Sequence, residues 1–95
     1  MDKRVYNAVA DRAGGLCELC LEYKPLQLHH IISGSGKRKQ HETVESCIML
    51  CVDCHRAAHN DFRVNRLLKK TVQLVFMCEG YTIDQVRRMM GGKLY

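Results

Sequence analysis

No run of apolar residues in this chain approaches the roughly 18 that a membrane span requires, which excludes a transmembrane reading. The sequence also lacks internal repeats and low-complexity tracts, so a repeat architecture is excluded as well. The N-terminus lacks the uninterrupted apolar run of a signal peptide; Met1-Asp2-Lys3-Arg4 leads instead into an amphipathic helix. The expectation is a reducing, cytoplasmic chain, in which six cysteines serve metal rather than disulfides. Bulk is limited too. At 95 residues the chain fits one domain, and a domain of that size buries only about 60 to 65% of its unfolded surface, so it needs a staple beyond apolar packing. Acidic residues are outnumbered, 10 against 15 basic ones; the formal charge of +5 and pI near 9.0 favour an anionic partner, nucleic acid first among them.

What the sequence does contain is organised around two CxxC knuckles. Ahead of them, Val5, Tyr6, Val9 and Ala10 recur at helical spacing and stop at Gly14-Gly15, which predicts a short packing helix. The stretch Leu26-Gln27-Leu28-His29-His30-Ile31-Ile32 begins with the alternation of a strand, the Gly34 and Gly36 loop breaks it, and Ser46-Cys47-Ile48-Met49-Leu50 reads as the returning strand. A helix is expected from about Asp53, with His55 and His59 on one face of it. A longer helix is expected over 61–79, with Val64, Leu67, Leu68, Val72 and Val75 on one stripe and Arg63, Arg66 and Lys70 on another. Thr82-Ile83-Asp84-Gln85 has the form of a capping box, so a last helix should cover about 83–90 and end at Gly91-Gly92.

Cys17, Cys20, Cys51 and Cys54 form two pairs separated by 30 residues. Each pair offers two thiolates from one tight turn, and the intervening hairpin can bring the turns together around a structural zinc. Cys47 and Cys78 are left over and read as small core residues. Histidines supply a second donor set. A strand bearing His29-His30 and a helix bearing His55 and His59 can bring imidazoles from separate elements around one divalent cation. His29, His55 and His59 can ligate it, leaving His30 free to take a proton from water while the cation stabilises charge on a phosphate oxygen. Because neighbours on a regular strand face opposite ways, His29 and His30 can serve one site only if the strand twists or ends there.

The runs Leu28-His29-His30-Ile31 and Ile48-Met49-Leu50-Cys51-x-x-Cys54-His55, with His59 beyond, resemble the HNH nuclease family in its zinc-knuckle form, over roughly residues 15–60. The resemblance implies an α+β fold: a small ββα-metal, treble-clef-like finger with a four-cysteine structural zinc. An N-terminal helix and a helical tail over 61–95 would flank the finger within one domain spanning 1–95. It implies a metal-dependent DNA endonuclease or nickase in which His29 is a metal ligand and His30 the general base, and in which His55 and His59 complete or support the metal site. Either of the two can be the nearer ligand. Ser46 stands where the family carries an Asn that pins the loop by hydrogen bonds.

Lys37, Arg38 and Lys39 are expected to touch phosphates, and Arg63, Arg66 and Lys70 form a helix face open either to solvent or to a nucleic-acid backbone. Glu42 and Glu45 are candidates to orient a ligand imidazole. The catalytic cation can be Mg2+, Mn2+, Ni2+ or Zn2+. By resemblance the setting is a bacteriophage or prophage in a bacterial host, with DNA, packaging proteins or a second copy of the chain as partners. A second reading keeps the four-cysteine frame and basic surface but not the chemistry: a treble-clef zinc module that binds DNA or a packaging partner without cutting.

Overall fold

The first helix is delimited by its own end residues. In the computed structural model, which describes residues 2–32 and 43–95, α1 (Lys3–Ala13) begins where the Asp2 carboxylate accepts the Arg4 N–H at 2.8 Å. It stops where Gly14 turns left-handed at φ 60° and donates its N–H to the Ala10 carbonyl at 3.0 Å. Gly15 suits its position because its backbone is left-handed, at φ 87°.

Two five-residue strands follow, β1 (Leu26–His30) and β2 (Cys47–Cys51). They pair antiparallel with Leu26 opposite Cys51, Leu28 opposite Met49, His29 opposite Ile48 and His30 opposite Cys47. The first strand stops at His30 rather than continuing through Ile32, and the second begins at Cys47, one residue past Ser46. Ile31 and Ile32 are buried nonetheless. The Ile31 N–H donates to the Ser46 carbonyl at 2.8 Å and carries the pairing one step beyond the sheet.

Helix α2 (Val52–Asn60) leaves β2 without a linker, with Cys51 as its N-cap. Asp61 then closes α2 and caps α3 (Phe62–Cys78) by accepting the Arg63 N–H at 2.9 Å. The capping box expected from Thr82 and Gln85 is formed in both directions and starts α4 (Ile83–Met89). This is a small α+β fold: a two-stranded sheet, four helices and a four-cysteine cluster.

Packing divides at the sheet. On one side Val9 and Ala13 of α1 meet Cys47 and Met49 of β2. On the other, Leu50, Ile31 and Ile32 join Ala58 of α2, Leu68, Val72 and Phe76 of α3, and Val86 and Met90 at the C-terminal end. Burying one such aliphatic or aromatic side chain contributes about 1.5–3 kcal/mol. The inward stripe of α3 is therefore Leu68, Val72 and Phe76, at i, i+4, i+8, with Gln73 beside them. Leu67 and Val75, expected on that stripe, are exposed at 56% and 38%, and Cys78, expected in the core, is exposed as well. The helix carries two apolar stripes, and contact with α2 and α4 selects between them.

One cation ties α1 to the start of the second strand. The Arg12 guanidinium donates to both carboxylate oxygens of Glu18 at 3.0 and 3.2 Å, to the Val44 carbonyl at 2.9 Å and to the Cys47 carbonyl at 2.6 Å.

Candidate metal centre

The four thiols converge at the base of the hairpin. Cys17 follows α1 in a turn closed by its N–H to Glu22 O at 2.9 Å and by Leu21 N–H to Cys17 O at 2.8 Å. Leu21 sits at φ 63°, a conformation that costs a non-glycine residue on the order of 1 kcal/mol or more and that persists only where its surroundings hold it. Glu18 N–H donates to Met49 O at 2.9 Å and fastens this first knuckle to β2. In the second knuckle the Cys51 thiol accepts the Cys54 N–H at 3.5 Å.

All four Sγ atoms lie within 4.8 Å of one another, and those of Cys20 and Cys51 are 4.0 Å apart. Tetrahedral zinc with bonds of about 2.3 Å places its sulfurs roughly 3.8 Å apart, so the donor set fits. Burial acts to raise the Cys17 thiol, but backbone N–H groups of Cys20, Cys51 and Leu19 outweigh it and bring its pKa to about 6. Burial, reinforced by the three neighbouring thiols, pushes Cys54 upward. The cluster thus readily releases a first proton, and crowding makes the last one the hardest to remove without a cation. Four thiols in this arrangement suit a structural zinc.

The second cluster lies between β1 and α2. His55 and His59 share one face of α2, and their Nε2 atoms are 3.2 Å apart. His29, from β1, stands edge-on to both, with ring centroids 5.1 Å from His55 and 4.9 Å from His59. One nitrogen from each of the three lies within 4.8 Å of the others. Nitrogens at about 2.0–2.1 Å from a tetrahedral cation stand roughly 3.3 Å apart, close to the His55–His59 separation.

Two further features fit a bound cation. The His29 Nε2 is buried, with no hydrogen-bond partner among the described residues, a costly state that a metal bond would relieve. His55 Nδ1 is 2.6 Å from the Gln27 amide oxygen, which accepts its N–H and leaves the Nε2 lone pair turned toward His59. Burial, joined by the charges of His55, His59, His30 and Lys69, lowers the His29 pKa to about 4, so its lone pair is available at neutral pH. Burial, followed by the His59 charge, lowers His55 in the same direction. Three nitrogen donors leave at least one coordination position for water or substrate.

His30 is not in this convergent group. It is the last residue of β1, opposite Cys47 and 7% exposed, where the strict alternation of the strand ends. Ser46 is buried in the turn that faces it. Its hydroxyl accepts from Thr43 N–H at 3.0 Å and lies 3.1 Å from the Thr43 hydroxyl, and it donates to the Thr43 carbonyl at 3.1 Å. With Ile31 N–H on its carbonyl, Ser46 fastens the end of β1 to the start of β2.

Among the basic residues, Arg63 donates to the Asp61 carboxylate at 3.1 and 3.2 Å, while Arg66 and Lys70 are exposed on α3. Lys37, Arg38, Lys39 and Glu42 lie outside the described residues. The partner that orients His55 is Gln27, not Glu45. Gln27, two residues before His29 and therefore on the same strand face, is legible in the sequence only as a position; Thr43 and the Arg12–Glu18 clamp leave no motif at all.

An antiparallel hairpin running directly into a helix, with imidazoles converging from strand and helix and four thiols at its base, defines a ββα metal finger. Residues 17–61 match the family model of the HNH endonucleases, a match that takes in both knuckles, the hairpin and α2. Over that stretch the chain is similar to the HNH endonucleases. Comparison with curated proteins finds no match. No helix among the described residues is long and apolar enough to cross a membrane.

Proposed function

We propose that this finger is a metal-dependent DNA endonuclease or nickase. The observation that carries the reading is the convergence of His29, His55 and His59 on one point, with the buried Nε2 of His29 lacking any other partner among the described residues. A divalent cation held there supplies positive charge against the negative charge that builds on a phosphate oxygen. His29, His55 and His59 would hold it, and Gln27 keeps the His55 ring in the tautomer that can ligate. The imidazole of His30 takes the proton of the attacking water. Ser46 and Thr43 fix the end of the strand that carries His30, the pinning task of the Asn found in the family. Arg66 and Lys70, with the Lys37–Lys39 run, contribute backbone contacts that make binding salt-dependent. On family resemblance alone the proposal extends to a phage or prophage setting, with packaging proteins or a second copy as partners.

One observation favours a second reading, a zinc module that binds nucleic acid without cutting: His30 is buried and stands outside the imidazole group. A plasmid cleavage assay separates the two. The wild type should nick or linearise plasmid with added Mg2+, Mn2+, Ni2+ or Zn2+ and not with EDTA, and His30→Ala should lower the rate by about 100- to 10,000-fold with zinc content unchanged. Equal cleavage by His30→Ala removes His30 from the mechanism. Salt-sensitive DNA binding by a wild type that cuts with none of these metals selects the second reading.

A further inference from the structure

One face of α3 runs from the metal centre to the C-terminal residues. Asn65, Lys69 and Gln73 follow at i, i+4, i+8 and share that face. Asn65 donates its side-chain amide to the Ala58 carbonyl at 3.3 Å, next to His59 on α2. Gln73, buried, clasps the backbone of Tyr95 in both directions: its amide donates to the Tyr95 carbonyl at 2.8 Å, and its carbonyl accepts the Tyr95 N–H at 2.6 Å. Lys69 therefore stands between the helix that carries His55 and His59 and the anchored Tyr95.

The Tyr95 ring is shared by two ammonium groups. Lys69 Nζ lies 5.1 Å from its centroid and Lys93 Nζ 5.4 Å, both within cation–π range. Among the described residues no carboxylate lies within ion-pairing distance of either lysine, although Lys24, Arg12, Arg63 and Arg87 all have one. Two like charges gathered on one ring repel each other. With no carboxylate beside them among the described residues, both ammonium groups are available to pair with an anion.

We propose that Lys69 and Lys93, mounted on Tyr95, form a phosphate clamp that grips the nucleic-acid backbone beside the imidazole centre. This rests on the nucleic-acid reading of the finger above. It adds a binding element outside the hairpin and α2, and it gives the Gln73–Tyr95 clasp a purpose, that of fixing the ring on which both lysines lie. Lys69 and Lys93 are phosphate-binding residues in this proposal; Tyr95 and Gln73 position them.

The test is the salt dependence of binding of the full chain to a fluorescent DNA duplex, read by anisotropy between about 50 and 200 mM salt, a range over which each phosphate contact adds about 0.9 to the log–log slope. Lys69→Gln and Lys93→Gln should each flatten the slope by about 0.9, while Lys24→Gln, whose lysine is paired with Glu22, should not. Tyr95→Leu should weaken binding about two- to fivefold and Tyr95→Phe should not, because phenylalanine keeps the ring face. A wild-type slope in both lysine variants, each with an unchanged thermal transition, overturns the clamp and leaves the finger's nucleic-acid binding intact. A wild type whose binding does not depend on salt overturns both the clamp and the reading on which it rests.

Discussion

The two donor clusters of this finger are built by opposite means. The four thiols come as two CxxC pairs, one in the turn after α1 and one at the junction of β2 and α2, and backbone N–H groups directed at sulfur bring the Cys17 pKa to about 6. The three imidazoles sit on regular elements, a strand and a helix, and rely on one amide, that of Gln27, to fix a tautomer. A set of four ligands closes a site; a set of three leaves it open. The four-thiol set therefore suits a structural zinc, and the three-imidazole set suits a cation with a coordination position left open.

The sharpest way to break the comparison is to remove one thiol. Cys51 is at once a sulfur donor of the cluster, the last residue of β2 and the N-cap of α2. Cys51→Ser should lose zinc and the cooperative thermal transition together, because metal binding and folding are coupled in such sites. Metal analysis and circular dichroism read both, and an undisturbed transition would refute the structural role. Gln27→Ala probes the other cluster alone. It should weaken cation binding at the imidazole centre by about 10- to 100-fold, measured by calorimetry on zinc-knuckle-loaded protein, with the thermal transition nearly unmoved. Equal losses of stability in these two variants would erase the distinction between the clusters.

Smaller effects sharpen it. Ser46→Ala leaves the Thr43 N–H without its side-chain acceptor in a partly buried turn and should cost about 1–2 kcal/mol in denaturant unfolding. It should lower cleavage as well if Ser46 positions the strand end that carries His30, so an unchanged rate would limit Ser46 to stability. Thr82→Ala, a residue of neither donor set, removes one half of the capping box and should cost about 1 kcal/mol, with both metal affinities unchanged. A shift of either affinity in Thr82→Ala would show that the helical tail feeds into the metal sites.

Much of this was legible because the signals are local. A CxxC spacing forces two thiols into one turn, His55 and His59 share a helix face by periodicity, and Gly14, Thr82 and Gln85 mark helix ends through bonds made within a few residues. The inward stripe of α3 was not legible in the same way, since Leu67 and Val75 are as apolar as Leu68 and Val72. Cys78 was misplaced for the same reason. Nothing local reveals that Arg12 reaches Val44 and Cys47, or that Gln27 meets His55, because those partners are far away in the chain.

By itself, then, the sequence determined the donor inventory, the elements that carry it and the positive charge that favours an anionic partner, all properties of residue type and short-range spacing. Only the tertiary structure decided that His29 joins His55 and His59 while His30 stands outside their group, that the Gln27 amide meets the His55 ring, and that Lys69 and Lys93 meet on Tyr95. Those outcomes depend on which faces the sheet and helices bury against one another, a choice settled by packing across the whole chain.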